Sequence, residues 1–177
     1  MNLLFRLLWL RIRSRRWPRT DIWAGTRTPF RVTLTDLDLQ MHMNNGKYLS
    51  LLDLGRIDMM NRSGLWSKVL AKGWYPVVAG QTITYRKSLK LGERFAIHSR
   101  IAGFDERAVY IEQSFYCGTD LYARATVKAR FLKRAGGSVS QQELADLVGG
   151  FPEDLQLPDW ITDWSDATRL KSARSAG

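Results

Sequence analysis

The chain has 177 residues, 45% of them apolar and 25% charged, which suits one globular domain with a buried core and leaves little length for a second module. Eight arginines against Asp21 place +7 of the formal +10 within residues 1–31, so the remainder carries only +3 and lacks the basic balance of a nucleic-acid binder. The single cysteine, Cys117, excludes an internal disulfide and a thiolate metal cluster.

The first 19 residues, MNLLFRLLWLRIRSRRWPR, place an apolar run from Leu3 to Leu10, broken by Arg6, ahead of an arginine cluster. The run is far shorter than the ~20 apolar residues of a spanning helix. Charge that follows the apolar stretch, with no small-residue cleavage site, reverses the order of a secretory signal. On a helix, Leu3, Leu7 and Leu10 share one side with Leu4 and Trp9 flanking, while Arg6 and Arg13 share another. Such a segment either docks on the body or on a second subunit, or makes a peripheral contact between residues 1–19 and an anionic membrane. A cytoplasmic, membrane-peripheral protein is expected.

From Thr28 the chain alternates, with Phe30, Val32 and Leu34 pointing one way and Arg31, Thr33 and Thr35 the other, which predicts a half-buried strand. Leu37, Leu39, Met41 and Met43 prolong the alternation into Asn45-Gly46, a pair that taken locally signals a hairpin. Tyr48, Leu51, Leu52, Gly55 and Met59, however, recur with helical spacing. Asn44 or Asn45 is therefore expected to cap a helix from about Gly46 to Asn61. Ser63-Gly64 closes it, and a short second helix is expected from Leu65 to Ala71. Alternation then marks four strands, about 75–88, 93–103, 107–117 and 121–134, whose short turns predict antiparallel neighbours in chain order. Helical segments are expected near Gln141 to Val148 and Trp160 to Leu170.

These elements predict an α+β fold, a five-stranded antiparallel sheet wrapped around a central helix, with Gly55 letting helix and sheet approach closely. Residues 1–25 form a basic amphipathic segment, 26–136 the domain and 137–177 a C-terminal helical extension. The long edge strands of a single wrapped sheet need pairing or cover, so a homo-oligomer is expected.

Asp36-Leu37-Asp38-Leu39-Gln40-Met41-His42-Met43-Asn44-Asn45-Gly46-Lys47-Tyr48 gathers two carboxylates, an imidazole and two amides just before the helix start. Unsatisfied backbone N–H groups there carry partial positive charge and polarise an acyl carbonyl. A carboxylate a few residues upstream then acts as nucleophile or as base for a water. Thioester hydrolysis by these parts needs no metal and no cofactor. The plainer roles of the same residues are capping for Asp and Asn and structural hydrogen bonding for His.

The string Asp38-x-x-Met41-His42-Met43-Asn44-Asn45-x-x-Tyr48, followed by Asp53-x-x-Arg56, resembles the D-x-x-G-H-M-N-N-x-x-Y segment of hot-dog-fold thioesterases of the 4-hydroxybenzoyl-CoA type. With Asp36-Leu37-Asp38-Leu39 and Tyr85-Arg86-Lys87-Ser88-Leu89 it is similar to the branch called thioesterase superfamily member six, over residues 28–134. The resemblance implies the hot-dog fold and an acyl-CoA or acyl carrier protein substrate. It makes Asp38 the catalytic carboxylate, with the backbone N–H groups of Asn45 and Gly46 polarising the carbonyl and His42, Asn44 and Tyr48 in the site loop. It implies a dimer or tetramer with sites at the subunit interface, and surface cations on the CoA phosphates, for which Arg86, Lys87 and Lys90 are the candidates. The family glycine before the His is Met41 here. Asp53 and Arg56 at i, i+3 read as a helix-surface ion pair, and His98, on a strand, is given no role. Two alternatives are a non-catalytic acyl-CoA or lipid binder and a hydratase or dehydratase using His42 with Asp38. The proline expected between acid and His in a hydratase loop is absent.

Overall fold

The computed structural model describes residues 3–14 and 16–169. Residues 1, 2, 15 and 170–177, which the terminal expectations include, lie outside the described residues. The elements run α1 (Leu3–Ser14), β1 (Thr26–Arg31), a 3-10 turn (Leu34–Asp36), α2 (Asn45–Arg62), α3 (Leu65–Ala71), β2 (Trp74–Tyr85), β3 (Arg94–Phe104), β4 (Val109–Cys117), β5 (Asp120–Lys133), α4 (Gln141–Val148) and α5 (Asp159–Ala167). All strand pairs are antiparallel, in the order β1-β3-β4-β5-β2. This is the hot-dog arrangement, an α+β fold whose sheet wraps α2.

Helix and sheet meet because their apolar periods face each other. Leu51, Leu52 and Leu54 of α2 join Phe30, Phe95, Ile97, Phe115, Ala123, Ala125 and Val127 of the sheet in one buried cluster. Phe95 stacks between Phe30 and Phe115, at centroid distances of 5.7 and 5.8 Å. Gly55 is the point of closest approach: a Cβ there would lie 2.9 Å from Gln113 Nε2 and 3.0 Å from Ser99 Oγ. Around it the buried Gln113 amide donates to Leu52 O and Ser99 Oγ and accepts from Arg56 Nη1. The polar groups packed around Gly55 thus satisfy one another.

Three expectations need correction. Leu34 is exposed rather than inward, because the chain leaves the strand after Arg31 and turns through Leu34–Asp36. β2 and β3 are not neighbours, since β2 pairs only β5 at the far edge. Their connection, residues 86–93, crosses the end of the sheet: Arg86 N–H and Lys87 N–H donate to Tyr122 O, Met43 N–H to Leu89 O and Val32 N–H to Glu93 O. Finally, Arg6 does not join Arg13 on an outer face of α1. It is buried with Leu10 and Ser14 on the side packed against α2 and donates to Arg31 O of β1, while Leu3 is exposed.

Candidate active site

The stretch between β1 and α2 is built from two consecutive turns, each organised by an aspartate. In the first, Asp36 is 2% exposed. Its Oδ2 accepts from Thr33 N–H (2.8 Å) and Thr33 Oγ1 (2.8 Å), and Arg6 Nη2 donates to it at 2.5 Å. Arg6 reaches in from α1, so this carboxylate is spent on joining the N-terminal helix to the domain.

In the second turn Asp38 is half-buried. Its Oδ1 accepts from Gln40 N–H at 2.9 Å and His42 N–H at 3.2 Å. Its Oδ2 meets no hydrogen-bond donor among the described residues. The backbone closes around it: Asp38 N–H donates to His42 O (2.8 Å), Met41 N–H to Asp38 O (3.1 Å), and Leu37 pairs with Met43. Residues 39–41 form a three-residue hairpin loop whose last position takes a left-handed backbone. That position is Met41, at φ 61°, the only non-glycine with positive φ among the described residues. A glycine suits this geometry without steric cost, which explains physically why a glycine stands there in the resembled segment. Met41 accepts the strain, and its side chain and that of Leu39 stand exposed at 56% and 104% beside Asp38.

α2 then begins as its sequence requires. Asn44 is the N-cap, its Oδ1 accepting from Gly46 N–H at 2.9 Å, and Asn44 O accepts from Lys47 N–H. The Gly46 N–H is therefore engaged by the cap. The Asn45 N–H, first in the helix, has no acceptor among the described residues, which makes it the open donor at the positive end of the helix dipole.

His42 is half-buried and meets Asp38 through backbone groups alone, so imidazole and carboxylate form no hydrogen-bonded pair here. Tyr48 is buried at 2% exposure and its hydroxyl accepts from Leu89 N–H at 3.1 Å. Burial pushes its ionisation upward, against the Leu89 hydrogen bond, and the ring packs on Tyr85 and Phe115. It ties the crossing segment to the helix start. That segment brings Lys90 opposite His42, with Arg86 and Lys87 exposed nearby in the chain. The Lys87 ammonium is held by Asp120 at 2.8 Å, while Arg86 and Lys90 make no ion pair among the described residues.

Asp53 pairs with Arg56 on α2, but the ion pair is only half at the surface: Asp53 is exposed while the Arg56 guanidinium is buried against Gln113. His98 packs on Tyr116 with the two rings tilted at 46°, and burial followed by the Arg27 charge lowers its ionisation. Sequence reasoning missed the buried Arg6–Asp36 pair. Its one sequence signal was an arginine interrupting an apolar helical run.

The chain matches the family model of the thioesterase-like superfamily over residues 32–165. It is 33% identical over 129 residues to the protein THEM6 of Xenopus laevis, covering 73% of this chain and 61% of that protein. To the protein THEM6 of Danio rerio it is 38% identical over 113 residues, covering 64% of this chain and 56% of that protein. The chain thus spans about three-fifths of the length of these curated relatives. Among solved structures it resembles the YbaW probable thioesterase from Escherichia coli, with a TM-score of 0.65 at 21% identity, over 69% of this chain and 95% of that one.

Proposed function

The chain belongs to the thioesterase-like superfamily, and on that footing we propose that it hydrolyses an acyl thioester, an acyl-CoA or an acyl carrier protein thioester, to the free acid and thiol. The observation that carries this reading is Asp38, a carboxylate pinned through one oxygen by its own turn and open at the other, with the unpaired Asn45 N–H three residues beyond His42. Either Oδ2 attacks the carbonyl carbon, or it takes a proton from a water that does. The carbonyl oxygen gains the charge, which the Asn45 N–H and the helix dipole stabilise. Collapse of the intermediate re-forms the carbonyl, breaks the C–S bond and releases the thiolate, which takes up a proton; on the nucleophilic route the acyl group is left on Asp38 as a mixed anhydride, which a water then hydrolyses to the free acid and the carboxylate. Gly46 contributes only if the Asn44 cap lets its N–H go. Because Lys87 is engaged by Asp120, Arg86 and Lys90 are the better candidates for the CoA phosphates. Turnover of a panel of acyl-CoAs by the purified chain, with loss in Asp38→Asn, tests the reading. Hydrolysis that survives the substitution overturns it.

Met41 favours a second reading. Its strained backbone and exposed apolar side chain beside Asp38 also suit a protein that holds an acyl group without cleaving it, which would show as acyl-CoA binding with no thiol release from any substrate. The hydratase alternative loses support because His42 and Asp38 are not paired through their side chains.

We place the working form as a homodimer. β2 is twelve residues long, pairs on one side only and leaves Tyr75, Val78 and Tyr85 exposed, and such an edge calls for a partner strand. Light scattering is expected to give twice the 20.3 kDa chain mass; a monomer would rule this assembly out. The exposed apolar residues of α1 and its arginines support a peripheral contact with an anionic membrane through residues 1–19. No helix among the described residues is long and apolar enough to cross a membrane.

A further inference from the structure

α1 divides its circumference three ways. Arg6, Leu10 and Ser14 face the body and are buried. Trp9 and Arg13, one turn apart, line a cavity of about 660 Å³ between α1 and the β1 edge of the sheet. Phe5, Leu8 and Ile12 form the outward stripe, exposed at 65%, 58% and 57%. The cavity wall carries five arginines, Arg6, Arg13, Arg27, Arg31 and Arg94, and no acidic residue.

Most of these charges lack an anion. Arg6 gives its Nη2 to Asp36, Thr33 and Arg31 O, yet its buried Nε and Nη1 have no hydrogen-bond acceptor. Among the described residues the Arg31 guanidinium donates only to Gly92 O, and Arg13 lies over the Trp9 ring at 4.6 Å. Arg27 and Arg94 have no hydrogen-bond acceptor among the described residues. The buried Arg6 donors left unpaired are costly; the other four arginines are exposed at the cavity wall, and guanidinium forks match phosphate oxygens in geometry and charge. Phe30 and Phe95 give the same cavity an apolar side.

We propose that this cavity is the binding site for the phosphate headgroup of an anionic phospholipid, taken while the Phe5–Leu8–Ile12 stripe lies in the bilayer interface. The apolar stripe beside the mouth argues for a lipid surface over a soluble phosphate ester. A bilayer covers exposed phenylalanine and leucine, and a dissolved cofactor does not. The site also lies at the β1 edge, across the sheet from β2, and Asp38 does not line it. Dimerisation through β2 therefore leaves it open. The inference rests on the membrane reading given above and adds the headgroup site to it.

The test uses the full chain, the exposed double variant Arg27→Ser/Arg94→Ser and the stripe variant Phe5→Ser/Leu8→Ser. Binding is measured by sedimentation with vesicles of phosphatidylcholine alone or mixed with phosphatidylglycerol. Calorimetry then follows monomeric dihexanoyl phosphatidylglycerol, inorganic phosphate and CoA. The expected result is sedimentation only with phosphatidylglycerol vesicles, about tenfold weaker in the arginine variant, which also loses the short-chain lipid. The stripe variant should lose vesicles and keep the short-chain lipid. If the arginine variant binds both lipids as well as the wild type does, the headgroup site is overturned and the membrane reading survives. Short-chain lipid bound with no vesicle sedimentation overturns the membrane reading while the cavity site stands. Displacement of the short-chain lipid by CoA or by inorganic phosphate alone would show a site for a soluble phosphate and overturn the lipid assignment.

Discussion

Two turns in immediate succession use an aspartate in opposite ways. In Thr33–Asp36 the carboxylate faces inward, accepts from the turn and from Arg6, and is lost to solvent. In Asp38–His42 the turn satisfies one carboxylate oxygen and leaves the other open. A third aspartate, across the molecule, calibrates the difference. Asp105 Oδ1 accepts two backbone N–H groups much as Asp38 does, but its Oδ2 accepts from the Tyr110 hydroxyl at 2.6 Å. Burial works against the Asp105 charge, but these hydrogen bonds outweigh it and hold its ionisation low. Burial and the Asp105 hydrogen bond in turn push Tyr110 up to about 12. An Asx turn by itself is scaffold; what makes Asp38 a candidate reagent is the unoccupied second oxygen beside a free helix N-terminus.

The sharpest way to break this contrast is Asp38→Asn. The amide keeps size and can still accept from Gln40 and His42 while removing the negative charge and basicity. Turnover should fall about 100 to 10,000-fold, roughly 3 to 5.5 kcal/mol in the barrier, with the urea midpoint unchanged. A large drop in stability instead would make Asp38 another structural aspartate.

Asp36→Asn is expected to do the converse. Removing the charge leaves Arg6 buried and uncompensated, which costs about 3–5 kcal/mol where such pairs are broken. Urea unfolding should move down accordingly, and catalysis per folded molecule should change little. Although Asp36 lies only two residues away, it is therefore not a neutral control for Asp38. If Asp36→Asn is as stable as the wild type but inactive, the roles assigned to the two turns are reversed.

The smallest effect is expected at Met41→Gly. Left-handed backbone costs an L-residue about 1–2 kcal/mol, and glycine gives back about 0.5–1 kcal/mol in unfolded-chain entropy. The net expectation is a gain of about 0.5–1 kcal/mol, read as a slightly higher thermal midpoint. A loss of stability would mean that the Met41 side chain contributes packing that its exposure conceals.

Much of the architecture was legible without coordinates. The alternation of Ala123, Ala125, Val127 and Ala129 and the helical spacing of Leu51, Leu52 and Gly55 report local burial. Asn44 could be read as a cap because a cap is satisfied within two residues. The Asp38 turn was harder, since alternation through Leu37, Leu39 and Met41 reads as strand while residues 39–41 form a loop. Periodicity gives the face a residue prefers, not the point at which the chain bends.

The sequence by itself determined the strands, the helices and a cap at Asn44 or Asn45, because each depends on side-chain period and on bonds between near neighbours. Tertiary structure alone decided three further things: that β2 crosses to the far edge, that Arg6 turns inward to Asp36, and that Asn45 rather than Gly46 keeps a free N–H. A strand pattern carries the same alternation whichever strand lies beside it. An ion pair 30 residues apart forms only when packing removes both charges from water. Residues 86–93 tie the turn and the start of α2 together, through Leu89 O to Met43 N–H and Leu89 N–H to the Tyr48 hydroxyl, a contact between segments more than 40 residues apart that no local pattern records.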